Sequence, residues 1–420
     1  MKNLKKLGLN ETILKTLEKL GFTEPTEVQE KTIPSVLQGI DVIAGSATGS
    51  GKTLVFGAGI IHNCKAMKKI QALVMVPTRE LAEQVSKTIG TFSKQGLKIE
   101  AVYGGVAIGP QIRKLQHADV VVGTPGRILD HMQRNTIDIS HVKILVLDEA
   151  DRMLDMGFIY DVEKIIRHCP EKRQTMMFSA TISEDIRRLS KNYMKNPVKV
   201  LVESYIDQSK LTQSYYNVSD IEKFSLLVHL LKNEDSKLVM VFCNTKRNTD
   251  FVANNLKELG INALAIHGGF SQEQRSHVME KFHSQNISVL VCTDVAARGL
   301  DIKEVSHVYN YDIPSDSKAY IHRIGRTARA GKKGKAVSIL APRDYDNFRE
   351  VLKDRKLEIE RLPVPVINRV YVRWIEKRRT YGGGRGGRSG SSRGGRGYGR
   401  ESSGSRDYSS APRRSWKRRN

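Results

Sequence analysis

Two short runs in this chain of 420 residues carry side chains able to do chemistry. The first is Ser46-Ala47-Thr48-Gly49-Ser50-Gly51-Lys52-Thr53, set between the apolar Val42-Ile43-Ala44 and Leu54-Val55-Phe56. A strand, a glycine-rich loop and a helix start are the setting of a phosphate-binding loop, although Ser46 stands where the strict pattern has Gly. Glycines let backbone N–H groups turn inward around phosphates, and the new helix adds its positive end. Lys52 can then reach the β- and γ-phosphates, and the Thr53 hydroxyl can ligate Mg²⁺. The second run is Ile144-Leu145-Val146-Leu147-Asp148-Glu149-Ala150-Asp151, an apolar stretch that ends in three carboxylates. Buried parallel strands read as continuous apolar runs, and open α/β sheets bind ligands at the C-terminal ends of their strands. There Asp148 can hold a hydrated Mg²⁺ and Glu149 can polarise a water. Either run alone is compatible with a plain turn. Together they imply a chain that binds a nucleoside triphosphate with Mg²⁺.

The elements that must position these groups alternate along the chain. Strand candidates are Val42 to Ala44, Ala72 to Val76, Glu100 to Tyr103, Val120 to Val122, Ile144 to Leu147 and Thr175 to Phe178. Amphipathic segments such as Arg79 to Thr91 and Ser183 to Met194 lie between them, which is the βαβ rhythm of a parallel sheet. Val198 to Val202 closes this block, and the polar stretch Glu203 to Gln213 reads as a linker. A second block has strand candidates Leu238 to Phe242, Ala263 to Ile266, Val289 to Val291, His307 to Tyr309 and Ala336 to Leu340. Its helix candidates include Lys246 to Gly260 and Gln272 to Phe282. We expect a first α/β domain over 1–205, a linker over 206–213, a second domain over 214–365 and an extension over 366–381.

The segment 382–420 is Gly, Ser and Arg with single aromatics, Tyr398, Tyr408 and Trp416. Its ten Arg and one Lys face only Glu401 and Asp407. It lacks the apolar content to fold, so a disordered basic tail is expected, suited to loose nucleic-acid contact or to solubility alone. The formal charge is +24, which points to a polyanionic partner. No apolar run is long enough to span a bilayer, and the N-terminus lacks the apolar core of a signal peptide. Cys64, Cys169, Cys243 and Cys292 are scattered. They fit buried thiols in a reducing compartment, without a disulfide framework or a zinc site, and we expect a cytoplasmic monomer.

Asp148-Glu149-Ala150-Asp151 is the tetrad of the DEAD-box ATP-dependent RNA helicases, and from about Leu4 to Leu362 the chain resembles that family. Gly21-Phe22-Thr23-Glu24-Pro25-Thr26 with Gln29 resembles its Q motif, which reads adenine. Pro77-Thr78-Arg79-Glu80-Leu81-Ala82, Gly104-Gly105 and Thr124-Pro125-Gly126-Arg127 resemble RNA-backbone motifs, and Ser179-Ala180-Thr181 the motif that couples ATP state to unwinding. The second block holds Val241 to Thr245, His267-Gly268-Gly269, Gln272 with Arg275, Thr293 to Asp301 and His322 to Arg329 in the family's order. The resemblance implies two tandem RecA-like parallel-sheet domains with a cleft between them. It places ATP on Phe22, Gln29, Thr48, Gly49, Ser50, Gly51, Lys52, Thr53 and Asp301, with Mg²⁺ on Thr53 and Asp148. RNA would lie on Pro77, Thr78, Arg79, Gly105, Thr124, Pro125, Gly126 and Arg127 in the first domain, and on Asn244, Thr245, Gly268 and Thr293 in the second. Asp151, Ser179, Thr181, Asp294, Arg298 and His322 would couple the two ligands. Glu149, Lys52, Arg326 and Arg329 would be catalytic.

The implied reaction is ATP hydrolysis coupled to sequence-independent RNA binding and to local unwinding of short duplexes or remodelling of ribonucleoprotein. ATP on Lys52 and Thr53 attracts Arg326 and Arg329, closure bends an RNA strand, and hydrolysis reopens the cleft. Arg323, Arg326 and Arg329 fall three apart, so on a helix they share one face. Three positions depart from the family's commonest pattern. Leu4 replaces an aromatic expected to pack on adenine, Ser46 replaces a usual Ala, and Ala328 replaces a Gly and is expected to be harmless in a helix. A slow-cycling, ATP-gated RNA clamp, an RNA chaperone driven by the tail and a DNA helicase are the alternative readings.

Overall fold

The computed structural model describes residues 2–45, 50–93, 96–201, 210–297, 302, 305–328 and 333–372. Their apolar runs form two seven-stranded parallel sheets within one compact unit. The first sheet has β1 (Val42–Gly45), β2 (Ala72–Met75), β3 (Ile99–Val102), β4 (Val120–Gly123), β5 (Ile144–Leu147), β6 (Gln174–Ser179) and β7 (Val198–Leu201), in the order β3-β4-β2-β5-β6-β1-β7. The second has β8 (Leu211–Asn217), β9 (Leu238–Phe242), β10 (Ala263–Ile266), β11 (Val289–Cys292), β12 (Val305–Asn310), β13 (Gly334–Leu340) and β14 (Glu360–Arg361), in the order β10-β11-β9-β12-β13-β8-β14.

Alternation within each strand builds two cores per sheet. Ala72 and Val74 enter one cluster while Leu73 and Met75 enter the other. In the second sheet Val239 and Val241 face one core, and Leu238, Met240 and Phe242 face the opposite one. Helices cover both faces, as parallel sheets require. β1 pairs with β6, and β6 pairs with β5. The ends of β1 and β5 therefore flank the end of β6. Two buried aspartates fix the far end of this sheet. Asp41 accepts from the Thr175 and Lys195 N–H groups, both at 2.7 Å. Asp119 accepts from the Met67 and Lys68 N–H groups at 2.8 Å and from that of Lys98 at 2.9 Å.

Two expectations need correction. The linker cannot extend to Gln213, because β8 starts at Leu211 and pairs with β13 along its whole length and with β14 at its far side. Its polar letters misled: Gln213 and Ser214 are buried in spite of them. Within the extension, Ile367, Val370 and Val372 pack on the second domain's core and the Val370 N–H donates to Ser225 Oγ at 3.0 Å. Leu4 is 1% exposed inside the first core, so it offers no surface to an adenine. Residues 206–209 of the expected linker and the segment 382–420 lie outside the described residues.

Candidate functional site

The phosphate-loop segment ends at Gly51, whose φ of 87° is the left-handed region that glycine tolerates. Lys52 then opens the helix Lys52–Asn63. A side chain at 51 would collide with Gln29, whose Nε2 donates to the Gly51 carbonyl at 3.1 Å. Gln29 Oε1 accepts from the Thr26 N–H at 3.0 Å, and Thr26 Oγ1 donates to the Ser50 carbonyl at 2.7 Å. The predicted base-reading residue is thus tied to the phosphate loop, while Phe22 is exposed. Thr48 and Gly49 lie outside the described residues, as do Arg298, Asp301 and Arg329.

At the end of β5, Asp148 is buried, and desolvation pushes its carboxyl up to about 6. Lys52 opposes that shift and the Glu149 charge adds to it. A buried carboxylate so short of positive charge fits a divalent cation, and Thr53 stands beside Lys52 in the opening turn. Among the described residues no cluster of three or more His, Cys, Asp or Glu makes an all-protein metal cage. Mg²⁺ is usually held by one or two carboxylates plus phosphates and water. Glu149 has φ 51° and ψ 49°, a left-handed conformation uncommon outside glycine, and caps the helix Ala150–Asp155. Asp151 reaches the next strand: its Oδ2 accepts from both the N–H and the Oγ1 of Thr181, each at 3.0 Å. The Asp151 N–H donates to Ser179 Oγ at 3.3 Å, and Ser179 Oγ donates to the Thr181 carbonyl at 2.7 Å. Three of the expected coupling residues therefore form one network.

The second domain meets this surface. Asp294, His322 and Arg326 line a cavity of about 10 Å³ together with Arg152 of the first domain. Arg326 does not continue the face of a helix, because the helix Ser317–Ile324 stops before it. Ala328 has φ 54°, which contradicts a helical alanine there. Arg323 is 1% exposed and acts as a hub that the sequence reading passed over. Its Nε and Nη2 donate to the two oxygens of Asp294 at 2.7 Å, its Nη1 to the Asp312 carbonyl at 2.5 Å, and its Nη2 to Asn244 Oδ1 at 2.8 Å. Asn244 Nδ2 donates to the Ile313 carbonyl at 2.9 Å. The Asn244 amide is thus committed within its own domain at both ends. The signal for Arg323 was its place inside the run His322 to Arg329.

A larger cavity of about 410 Å³ lies between the domains, lined by Thr78, Arg79, Thr124 and Arg127 on one side and Gly268 and Arg275 on the other. Thr78 caps the helix Arg79–Phe92 and Thr124 the helix Pro125–Gln133, so two helix N-termini open towards it. Helix N-termini favour anions. Gly105 has φ 79°, and a side chain there would collide with the Arg79 guanidinium. Gly126 has open space where a Cβ would sit. Arg127 Nη2 donates to the Val106 carbonyl at 3.0 Å. In the second domain Thr245 caps the helix Lys246–Glu258, and Thr293 is buried just before the helix Asp294–Ala297. The ion pairs Arg275–Glu80 at 2.7 Å and Lys318–Asp155 at 3.3 Å cross between the domains.

Two family models match, the DEAD/DEAH box helicase over residues 26–189 and the helicase conserved C-terminal domain over 222–331. The ATP-dependent RNA helicase CshA of Limosilactobacillus reuteri is 43% identical over 369 residues, covering 87% of this chain and 74% of that protein. The DEAD-box ATP-dependent RNA helicase CshA of Geobacillus kaustophilus is 44% identical over 374 residues, covering 88% and 80%. Among solved structures, Saccharomyces cerevisiae Dbp5 bound to RNA and ADP BeF3 superposes with a TM-score of 0.79 at 31% identity, over 87% of this chain and 96% of that one. A DEAD box protein from Methanococcus jannaschii superposes with 0.54 at 43% identity, over 86% and 99%.

Proposed function

The chain belongs to the DEAD-box ATP-dependent RNA helicases, with their two tandem RecA-like domains, and we propose the following division of labour among its residues. Lys52 and the loop through Thr48, Gly49, Ser50 and Gly51 hold the ATP phosphates, and Phe22 and Gln29 take the base. Thr53 and Asp148 would hold Mg²⁺, which when bound neutralises charge on the β- and γ-phosphate oxygens. Glu149 orients the attacking water. Arg326, with Arg329, brings positive charge to the γ-phosphoryl group from the second domain. The helix ends at Thr78 and Thr124, with Arg79 and Arg127, bind the RNA backbone. They touch no base edges, so binding is indifferent to sequence.

The observation that carries this reading is the small cavity shared by His322, Arg326 and Arg152, which brings the second domain within one helical turn of Glu149. Neither domain supplies the whole site, and one chain supplies both, so a monomer suffices. The second domain starts at Leu211 on this reading. All four cysteines are free and buried, which suits the reducing cytoplasm. Among the described residues no helix is long and apolar enough to cross a membrane.

The test is steady-state ATP hydrolysis by the full chain without nucleic acid, with RNA, and with single-stranded DNA of the same sequence. Stimulation by RNA alone is expected, since the 2′-hydroxyl distinguishes the two polymers. Equal stimulation by DNA would overturn the proposed recognition. No stimulation by either would favour a slow-cycling clamp.

A further inference from the structure

We propose that Arg152 is a positioning residue that holds the Glu149 carboxylate from the side covered by the second domain. The inference rests on the reading of Glu149 as the residue that orients water. Arg152 follows the acidic tetrad directly and lies three residues after Glu149, so the two side chains share one face of the first helical turn. Arg152 Nε lies 3.4 Å from Glu149 Oε2, with the side chains 3% and 6% exposed.

Both groups are only half satisfied. Glu149 Oε2 is buried and has no hydrogen-bond donor among the described residues, and Arg152 Nη1 is buried without an acceptor. A buried polar group left unpaired is destabilising, so this arginine is a poor choice for packing alone. A hydrophobic residue of similar volume would fill the space at lower cost. The arrangement makes sense if the missing partners arrive with the reaction. The strained backbone at Glu149 aims its carboxylate, and the neighbouring acids cannot hold it. Asp148 Oδ1 accepts the Glu149 N–H at 3.0 Å, and Asp151 Oδ2 is taken by Thr181. Arg152 is a cation placed to hold it. Its other edge faces the cavity of about 10 Å³ that Asp294, His322 and Arg326 close, which is the room one water occupies. Arg152 therefore contacts the reacting carboxylate on one side and the closing domain on the other, and the aim of Glu149 registers closure.

Arg152→Met and Arg152→Lys in the full chain test this, with Arg152→Gln held ready if the Met variant fails to fold. RNA-stimulated kcat, KM for ATP, and RNA affinity with a non-hydrolysable ATP analogue are measured. A misplacement of about 1 Å at a reacting group can cost ~100-fold, so Arg152→Met should lower kcat by about 10- to 100-fold. KM and analogue-dependent RNA affinity should stay within about threefold, and Lys should recover at least about fivefold of the lost kcat. A kcat within about twofold of the parent, a parallel loss of RNA affinity, or a Lys variant no better than Met would each overturn the inference. Glu149→Gln separates the two levels. If it hydrolyses ATP at the parent rate, the reading of Glu149 has failed. If it is inactive while Arg152→Met is normal, only the role of Arg152 has failed.

Discussion

Closure should depend on the Glu80–Arg275 ion pair, which can form only when the two domains meet. Glu80 stands in the first turn of the helix Arg79–Phe92, and Arg275 on the helix Gln272–His283. Their charged atoms are 2.7 Å apart, with side chains 17% and 12% exposed. At an effective dielectric near 20, unit charges about 4 Å apart attract by ~4 kcal/mol. Desolvation takes back part of this, and charge-assisted hydrogen bonds typically net about 1.5–3 kcal/mol. We take about 2 kcal/mol, which is ~30-fold in the closure equilibrium. Glu80→Ala or Arg275→Ala should then weaken RNA binding about 30-fold in the presence of a non-hydrolysable ATP analogue, measured by fluorescence anisotropy. Without nucleotide the same variants should differ from the parent by no more than about threefold, because the open state never makes the contact. Linkage demands the reciprocal effect, so at saturating RNA the analogue should lose affinity by the same factor. A Glu80→Arg, Arg275→Glu exchange should recover much of the loss. The reasoning fails if the single variants are additive within about 0.5 kcal/mol, or if the loss is as large without nucleotide.

Three further outcomes follow from the same geometry. Burial raises the Asp148 carboxyl from near 4 to about 6, so its contribution to stability is greatest below pH 4 and falls as pH rises, until it is lost above 6. Asp148→Asn should therefore stabilise the nucleotide-free chain by roughly 2–3 kcal/mol at pH 7.5 and by little at pH 4, read from denaturant unfolding, while abolishing Mg²⁺-dependent ATP hydrolysis. Ala328→Gly should raise the midpoint of thermal unfolding by about 2–4 °C, since relieving a left-handed alanine releases about 1 kcal/mol. No change, or a fall, would mean that the alanine side chain is required there. Thr181→Val removes the hydroxyl donor to Asp151 while leaving the backbone donor. Duplex unwound per ATP hydrolysed should drop about tenfold while RNA still stimulates hydrolysis, as one lost hydrogen bond to a charged group predicts.

Strands that are buried on both faces were legible because their letters have one dominant cause. Ile144 to Leu147 and Leu238 to Phe242 are apolar throughout, and both are strands. β8 was not legible because its environment is mixed. Gln213 and Ser214 are buried there, and no local pattern announces that. Helix starts were legible where a Thr or Ser caps them, as at Thr78, Ser183 and Thr245. The arginine run showed the limit of periodicity. Arg323 and Arg326 have helical spacing, yet the helix ends at Ile324, and one arginine turns into its own domain while the other faces the cleft. Spacing predicts a shared face only while the helix lasts.

What the sequence could not carry is the strain at the cleft. Six described residues other than glycine have positive φ, and Lys68, Asn135, Asn196 and Gln285 lie between named helices and strands. The other two are Glu149 and Ala328, one in each domain. Neither residue type favours that conformation, so the surrounding structure must impose it. At Glu149 the imposing contacts are visible: the backbone N–H is held by Asp148, the next turn is tied to β6 through Asp151, and Arg152 pairs with the carboxylate. Three separate contacts thus enforce the conformation at Glu149. Replacing Glu149 by glycine would relax the backbone and remove the carboxylate together. Glu149→Gln keeps the side-chain length and the backbone constraint, and so isolates the chemistry.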